Sequence, residues 1–109
     1  MPEMHFTIEW PNGKRQRCYS PSYIIEDFLD AGGAYPVVDF LARAGAALEG
    51  ASERVRERYG FACSSALDQL RELERSSAEL SESERARDVR VLAFEKHAPR
   101  DARAQESSR

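Results

Sequence analysis

Two cysteines and two histidines supply the side chains of this 109-residue chain that are best suited to nucleophilic chemistry. A Cys–His catalytic pair needs both side chains within hydrogen-bonding reach of each other. Cys18 and His5 are predicted on opposite faces of a sheet, and His97 falls in a polar C-terminal segment, so the pattern disfavours such a pair. Cys63 directly precedes a predicted helix, where the helix dipole favours a reactive thiolate. The alternative interpretation of Cys63 is a small buried apolar contact.

The same residue types argue against a metal centre. Neither cysteine has the nearby CxxC partner that zinc sites usually show, and the acidic residues are scattered without His or Cys at ligand spacing. The N-terminal residues carry no export signal, so we expect a cytoplasmic protein with two free thiols. The sequence predicts no metal and no cofactor.

The start of the helix that follows Cys63 could bind an anion through its main-chain amides. Ser64 or Ser65 is expected to cap this helix, and the adjacent amides carry the positive end of the helix dipole. Arg54 and Arg58, near the end of the preceding helix, could supply a counter-charge. An ordinary serine cap is the competing interpretation. The candidate ligand or partner contacts are therefore Arg54, Arg58, Cys63, Ser64 and Ser65.

Like charges recur one turn apart on the preceding helix. Glu49, Glu53 and Glu57 form one stripe, and Arg54 and Arg58 form another. Such spacing costs roughly 0.2–0.5 kcal/mol per pair in an isolated helix. One interpretation is a solvated face. The other is that one stripe meets opposite charge on the acidic next helix or on a partner protein.

These candidate residues are positioned by a hairpin followed by helices. Met4, Phe6, Ile8 and Trp10 alternate with polar residues, which predicts a strand with one buried face. Pro11-Asn12-Gly13 favours a three-residue bulged turn, with a two-residue turn as the alternative. The preferred register pairs Trp10 with Lys14, Ile8 with Gln16, Phe6 with Cys18, Glu9 with Arg15 and Thr7 with Arg17.

Three helices are predicted after the hairpin. Ser20 or Ser22 caps a short one that ends at Gly32-Gly33, and Tyr35-Pro36 opens a longer one that ends at a left-handed Gly60. The third begins after a short connection, which predicts an antiparallel helical hairpin, and fades around residues 81–87. Small residues crowd the middle of the long helix, which favours close approach of another backbone over a ligand groove: Ala44, Gly45, Ala46, Ala47, Gly50 and Ala51.

The predicted architecture is a single α+β domain over residues 1–95. Its N-terminal hairpin and a C-terminal strand over residues 88–95 form a three-stranded sheet, one face of which the three helices cover. Residues 96–109 are polar and are expected to form a disordered tail. A charged fraction of 32% and the absence of long apolar runs exclude a membrane-spanning protein.

A set of short motifs, each weak alone, is collectively specific. They are Trp10-Pro11-Asn12-Gly13, Cys18-Tyr19-Ser20-Pro21-Ser22, Tyr35-Pro36 with Asp39-Phe40, Ala51 to Arg56, Tyr59-Gly60-Phe61, and Cys63-Ser64 with Ala66-Leu67. Over residues 1–95 the chain resembles the nitrogen-starvation-response family of small bacterial proteins. The resemblance implies genes clustered beside a nitrilase-family enzyme, a radical SAM protein, an acetyltransferase and a flavin-dependent oxidoreductase. It implies an accessory role and transfers no catalytic residue.

We therefore expect a non-enzymatic accessory or protein-binding module whose partner is an enzyme of that gene cluster, with a homodimer as a further possibility. One alternative is a small ligand-binding protein or thiol-dependent enzyme that uses Cys63. Another is a helix-turn-helix protein that binds DNA through the helix after Ser64. That helix carries more acid than base, which would repel phosphates, so nucleic acid is a disfavoured partner.

Overall fold

A computed structural model describes residues 3–60 and 64–97 of the chain. Its strands are β1 (Glu3–Glu9), β2 (Arg15–Ser20), β3 (Ala34–Pro36) and β4 (Asp88–His97). Its α-helices are α1 (Val37–Tyr59), α2 (Ser64–Ala78) and α3 (Glu82–Arg85), and a 3₁₀ helix spans Tyr23–Asp27. The order of the elements makes this an α+β fold, the predicted class.

The sheet has four antiparallel strands in the order β2-β1-β4-β3, so the predicted three-stranded sheet is wrong. The additional strand is β3, which the sequence analysis placed at the opening of the long helix. Gly32 turns the chain with a φ of +87°. Gly32 N–H then donates a hydrogen bond to Val91 oxygen, and Val91 N–H donates one to Gly33 oxygen, each at 2.8 Å. Three residues are too few to show a period-2 pattern, which is why β3 was missed.

The predicted bulged hairpin is confirmed. Trp10 N–H donates to Lys14 oxygen at 2.8 Å, Gly13 N–H donates to Trp10 oxygen at 2.8 Å, and Gly13 has a φ of +88°. The register of β1 and β2 is the preferred one, including Phe6 opposite Cys18. Polarity selects this register because it places every large apolar side chain of β1 on the face that the helices cover.

Two predicted helix ends, at Ser22 and at Gly60, are confirmed, whereas the short helix ends at Asp27 and not at the predicted Gly32-Gly33. Ser22 caps the 3₁₀ helix by accepting from Ile24 N–H, and α1 ends at Gly60 with a φ of +84°. α2 begins at Ser64 and ends at Ala78. A separate one-turn helix, α3, follows because Ser81 and Glu84 form a capping box.

The small residues of α1 allow close packing by side chains rather than by another backbone. A Cβ placed on Gly50 would lie 2.9 Å from Ile24 Cδ1, and one on Gly45 would lie 3.6 Å from Leu70 Cδ1. The 3₁₀ helix and α2 therefore both pack closely on α1. A ligand groove is not needed to explain this composition.

The helices cover the face of the sheet that carries Met4, Phe6 and Ile8, each fully buried. We call the opposite face, which carries Glu3, His5, Thr7 and Glu9 on β1, the open face. The helix α2 also covers the β2 edge: Gln69 is 8% exposed, and its Oε1 accepts from Tyr19 N–H at 2.9 Å. This hydrogen bond occupies a main-chain N–H of the edge strand that a strand of another molecule could otherwise pair with.

The last strand runs two residues beyond its predicted end at Glu95. Strand β4 lies between β1 and β3, and its residues Lys96 and His97 pair with Met4 and Glu3. The other residues of the predicted tail, 98–109, lie outside the described residues, as does Cys63.

Candidate functional site

The candidate site is a groove of about 430 Å³ between the chain that precedes the 3₁₀ helix and the last two turns of α1. We call it the Arg54–Arg58 groove, after the two arginines one helical turn apart that line it. Apolar atoms dominate its exposed lining. Its other lining residues are Pro21, Ser22, Ala51, Val55, Glu57 and Tyr59.

Local sequence determines each wall of the groove. Ser20, Pro21 and Ser22 leave β2 in a tight turn in which Ser20 Oγ donates to Ser22 oxygen at 2.7 Å. The opposite wall is helical, and Ala51 and Val55 face inward because they belong to the buried stripe of α1. The helix ends at Gly60, and Tyr59, the last helical residue, is 48% exposed beside the groove.

The two arginines of the groove differ from the other arginines of α1. Arg43 and Arg56 form ion pairs with Asp39 and Glu53 at 2.9 and 3.4 Å. By contrast, within the described ranges neither Arg54 nor Arg58 lies within 4.0 Å of a carboxylate oxygen. Arg54 Nη1 instead donates to Ser22 Oγ at 3.3 Å, a neutral partner. The guanidinium charges are therefore available to a ligand or partner.

The structure brings together only part of the predicted set. Arg54 and Arg58 share the groove, whereas Ser64 and Ser65 are exposed at the start of α2 and do not line it. Cys63 lies outside the described residues. Cys18 is fully buried, and this burial raises the pKa of its thiol to about 12, which makes it unsuited to nucleophilic chemistry.

A larger cavity, of about 600 Å³, lies at the other end of the sheet. It is lined by the hairpin turn and by residues around the start of β4, among them Trp10, Arg87, Asp88 and Arg90. Its exposed lining is mainly polar, and Asp88 offers a carboxylate beside the two arginines. The Arg54–Arg58 groove combines an apolar surface with two guanidinium groups that have no carboxylate partner in residues 3–60 and 64–97, and it is the better candidate.

The sequence analysis missed a pair of histidines on the open face. His5 Nδ1 and His97 Nε2 lie 2.9 Å apart, and the two rings meet edge to face. His97 was assigned to the tail, but β4 continues through it and sets it diagonally across from His5. The polar residues Lys96 and His97 show no strand pattern of their own, and locating the pair also required the register between β1 and β4.

Charged groups surround these histidines. Arg17 crosses β1 to bind both carboxylate oxygens of Glu95, at 3.0 and 3.1 Å. The hydrogen bond from Arg17 lowers the pKa of Glu95. Partial burial, then the charge of Arg17, lowers the pKa of His5, so that this imidazole is kept neutral more readily than a solvated one.

The described ranges contain neither a metal-binding cluster nor a membrane-spanning helix. Within residues 3–60 and 64–97, no cluster of three or more His, Cys, Asp and Glu side chains is arranged to hold a metal ion. None of the helices in these ranges has the length and apolar character needed to cross a membrane.

The fold and surface define a small α+β domain with helices on one face of a four-stranded antiparallel sheet and an arginine-lined groove beside it. Residues 5–94 match the family model of the nitrogen starvation-induced protein NitG. Because this match spans most of the chain, the protein belongs to the NitG family, and the resemblance drawn from its short motifs is confirmed at the family level. No curated protein and no solved structure matches the chain.

Proposed function

We propose that this NitG-family protein is a non-enzymatic accessory module of the nitrogen-starvation response that binds an enzyme through the Arg54–Arg58 groove. One observation carries the proposal: two guanidinium groups without a carboxylate partner among the described residues line a largely apolar groove. Arginine and tyrosine side chains are enriched among the residues on which protein interfaces most depend.

The chemistry of the groove defines the segment that would fit it. Arg54 and Arg58 outnumber Glu57, the one carboxylate in the lining, so the groove favours a negatively charged partner group. The apolar surface of Ala51 and Val55 favours an adjoining aliphatic or aromatic side chain. A partner segment that carries Asp or Glu next to a large apolar residue satisfies both requirements.

The resemblance drawn from the short motifs suggests where to look for the partner. The motif resemblance implies a gene cluster that encodes a nitrilase-family enzyme, and an accessory protein commonly acts on an enzyme produced with it. We therefore assign the partner to the enzymes of that cluster, in the cytoplasm, with the nitrilase-family enzyme as the first to test.

The test uses the full chain and each purified cluster enzyme in a calorimetric titration. The double variant Arg54→Glu/Arg58→Glu reverses both charges of the groove and is expected to weaken binding at least about tenfold. Arg56→Glu is the matched control, because Arg56 lies on the same turns of α1 but does not line the groove. The circular dichroism spectra of all variants are compared so that a folding defect is recognised.

Two results would contradict the proposal. Equal affinity of the double variant and the wild type would remove the groove from the interface. Failure of all cluster enzymes to bind, together with their absence from the protein purified from cells grown on limiting nitrogen, would remove the accessory role itself.

A further inference from the structure

We propose that His5 and His97 form a two-nitrogen binding site for a divalent transition-metal ion that prefers cis coordination at right angles, such as Cu²⁺ or Ni²⁺. This site lies on the open face of the sheet, away from the Arg54–Arg58 groove. It goes beyond the proposed function and does not depend on it.

The placement of two imidazole rings side by side on paired strands, with their nitrogens in contact, carries the inference. His5 Nδ1 and His97 Nε2 are 2.9 Å apart. Metal–nitrogen bonds of about 2.0–2.1 Å that meet at a right angle place two donor atoms about 2.8–3.0 Å apart. A tetrahedral ion such as Zn²⁺ requires about 3.3–3.4 Å with the same bond lengths. The contact is a hydrogen bond in this structure, so one of the two nitrogens carries a proton that must move to the other nitrogen of its ring, and both lone pairs must turn toward the ion. The strands already hold the two nitrogens at a spacing compatible with tetragonal and octahedral ions.

The backbone holds both ligands in place. His5 lies in the central part of the sheet, paired with Tyr19 on one side and Glu95 on the other. The end of β4 is fixed by Tyr23, whose hydroxyl donates to His97 oxygen at 2.8 Å. Ligands on paired strands lose little conformational freedom when a metal binds, which favours affinity.

The charges around the pair also permit a cation. Arg17 is the closest guanidinium, but it is bound to both oxygens of Glu95, which offsets its charge. Glu3 lies directly opposite His97 and two residues before His5, on the same face. Rotation of its side chain would bring a carboxylate toward the ion, with water in the remaining positions. No third ligand is already in place among the described residues, so the site is a two-residue chelate.

The test titrates untagged full-length protein with CuCl₂, NiCl₂ or ZnCl₂, because a polyhistidine tag would bind the same ions. We expect one Cu²⁺ per chain, with two equivalent imidazole nitrogens in the electron paramagnetic resonance spectrum. Binding of Cu²⁺ and of Ni²⁺ should be saturable and tighter than the weak binding that scattered surface groups give. Added Cu²⁺ should also raise the melting temperature.

The variants His5→Gln and His97→Gln separate chelation from structure. Glutamine can retain a hydrogen bond across the strands but cannot supply an imidazole ligand. Each variant is expected to lose at least about tenfold in Cu²⁺ affinity and to show no copper-dependent rise in melting temperature. Thr7→Gln, on the same face of β1, is the matched control and should bind Cu²⁺ like the wild type.

Three outcomes would overturn the proposal. The first is no saturable binding of Cu²⁺ or Ni²⁺. The second is unchanged Cu²⁺ affinity in His97→Gln, which would assign the ion to the N-terminal amine and His5. The third is saturable binding of Zn²⁺ alone, which would contradict the right-angle geometry.

Discussion

The two faces of the sheet are built by alternate residues of the same strands, yet they hold the molecule together in different ways. On the covered face, Met4, Phe6 and Ile8 of β1 are fully buried under the helices. On the open face, His5 and its neighbours are half-buried and are joined by directional contacts, including the Arg17–Glu95 ion pair. Apolar burial stabilises one face, whereas specific polar geometry organises the other.

Because of this difference, the residues that stabilise the fold are not the residues that can contact a ligand. The covered face holds the buried apolar side chains, whose removal from water favours folding, but these side chains are inaccessible to a ligand. The open face buries less apolar surface, and its polar side chains are partly exposed. Substitutions at adjacent positions of one strand should therefore have opposite consequences.

The largest expected effect comes from removing a ring on the covered face. Phe6→Ala should lower the free energy of unfolding by about 3–5 kcal/mol, because Phe6 is fully buried and the surrounding structure closes such a cavity only in part. Thr7→Ala, one residue along on the open face, should cost less than about 1 kcal/mol. Urea denaturation of the two variants measures the contrast. Similar losses of unfolding free energy in the two variants would show that both faces stabilise the fold equally, which would contradict the contrast drawn between them.

Accessibility of Cys18 provides a chemical test of the covered face. Burial raises the pKa of its thiol to about 12, and the helices also block reagents. In a Cys63→Ser background, labelling of Cys18 by a thiol reagent at pH 8 should be at least about a hundredfold slower than in urea-unfolded protein. Because the unfolded thiol ionises at lower pH than the folded one, stability should also fall as the pH rises from about 9 to 12. Rapid labelling of the folded protein would refute the burial of this thiol.

The covered face was largely predictable from the sequence, and the open face was not. Alternation along β1 and the turn at Pro11–Gly13 were sufficient to give the β1–β2 register, since polarity leaves one acceptable pairing. β3 was missed because its three residues adopt an extended conformation through pairing with β4, not through a pattern of their own. The histidine pair was missed because it needs the β1–β4 register, which is set by contacts between residues far apart in the chain.

Gln69 lies on α2 and accepts a hydrogen bond from the β2 edge of the sheet, so its substitution measures how strongly α2 is held to that edge. Gln69→Leu should lower the free energy of unfolding by about 1–2 kcal/mol, because it removes the acceptor for Tyr19 N–H. Part of the loss is offset, since Gln69 Nε2 is buried without a hydrogen-bond partner in the described ranges. Glu74→Gln, exposed on the same helix, is the control. Unchanged stability would show that α2 holds the edge through apolar packing alone.

The candidate groove was partly predictable. The sequence identified Arg54 and Arg58 as unusual because like charges recur one turn apart, and the structure places both in one groove. It could not supply the other wall, because Pro21 and Ser22 are brought to α1 by tertiary contacts, including the packing of Ile24 against Gly50 and the hydrogen bond from Arg54 to Ser22. A helical repeat predicts which residues share a face but not what lies opposite them.

The smallest expected effect belongs to the ion pair of the open face. Arg17 and Glu95 are about half exposed, with side-chain accessibilities of 54% and 44%, so solvent screens their attraction. Arg17→Gln should change stability less than any variant of the covered face, and the change should shrink further in high salt. It should also raise the pKa of Glu95 toward its ordinary value, which a carboxylate NMR titration measures, because Arg17 is the main cause of the lowered pKa. A large, salt-independent loss of stability in Arg17→Gln would show that directional contacts stabilise the open face as strongly as burial stabilises the covered one.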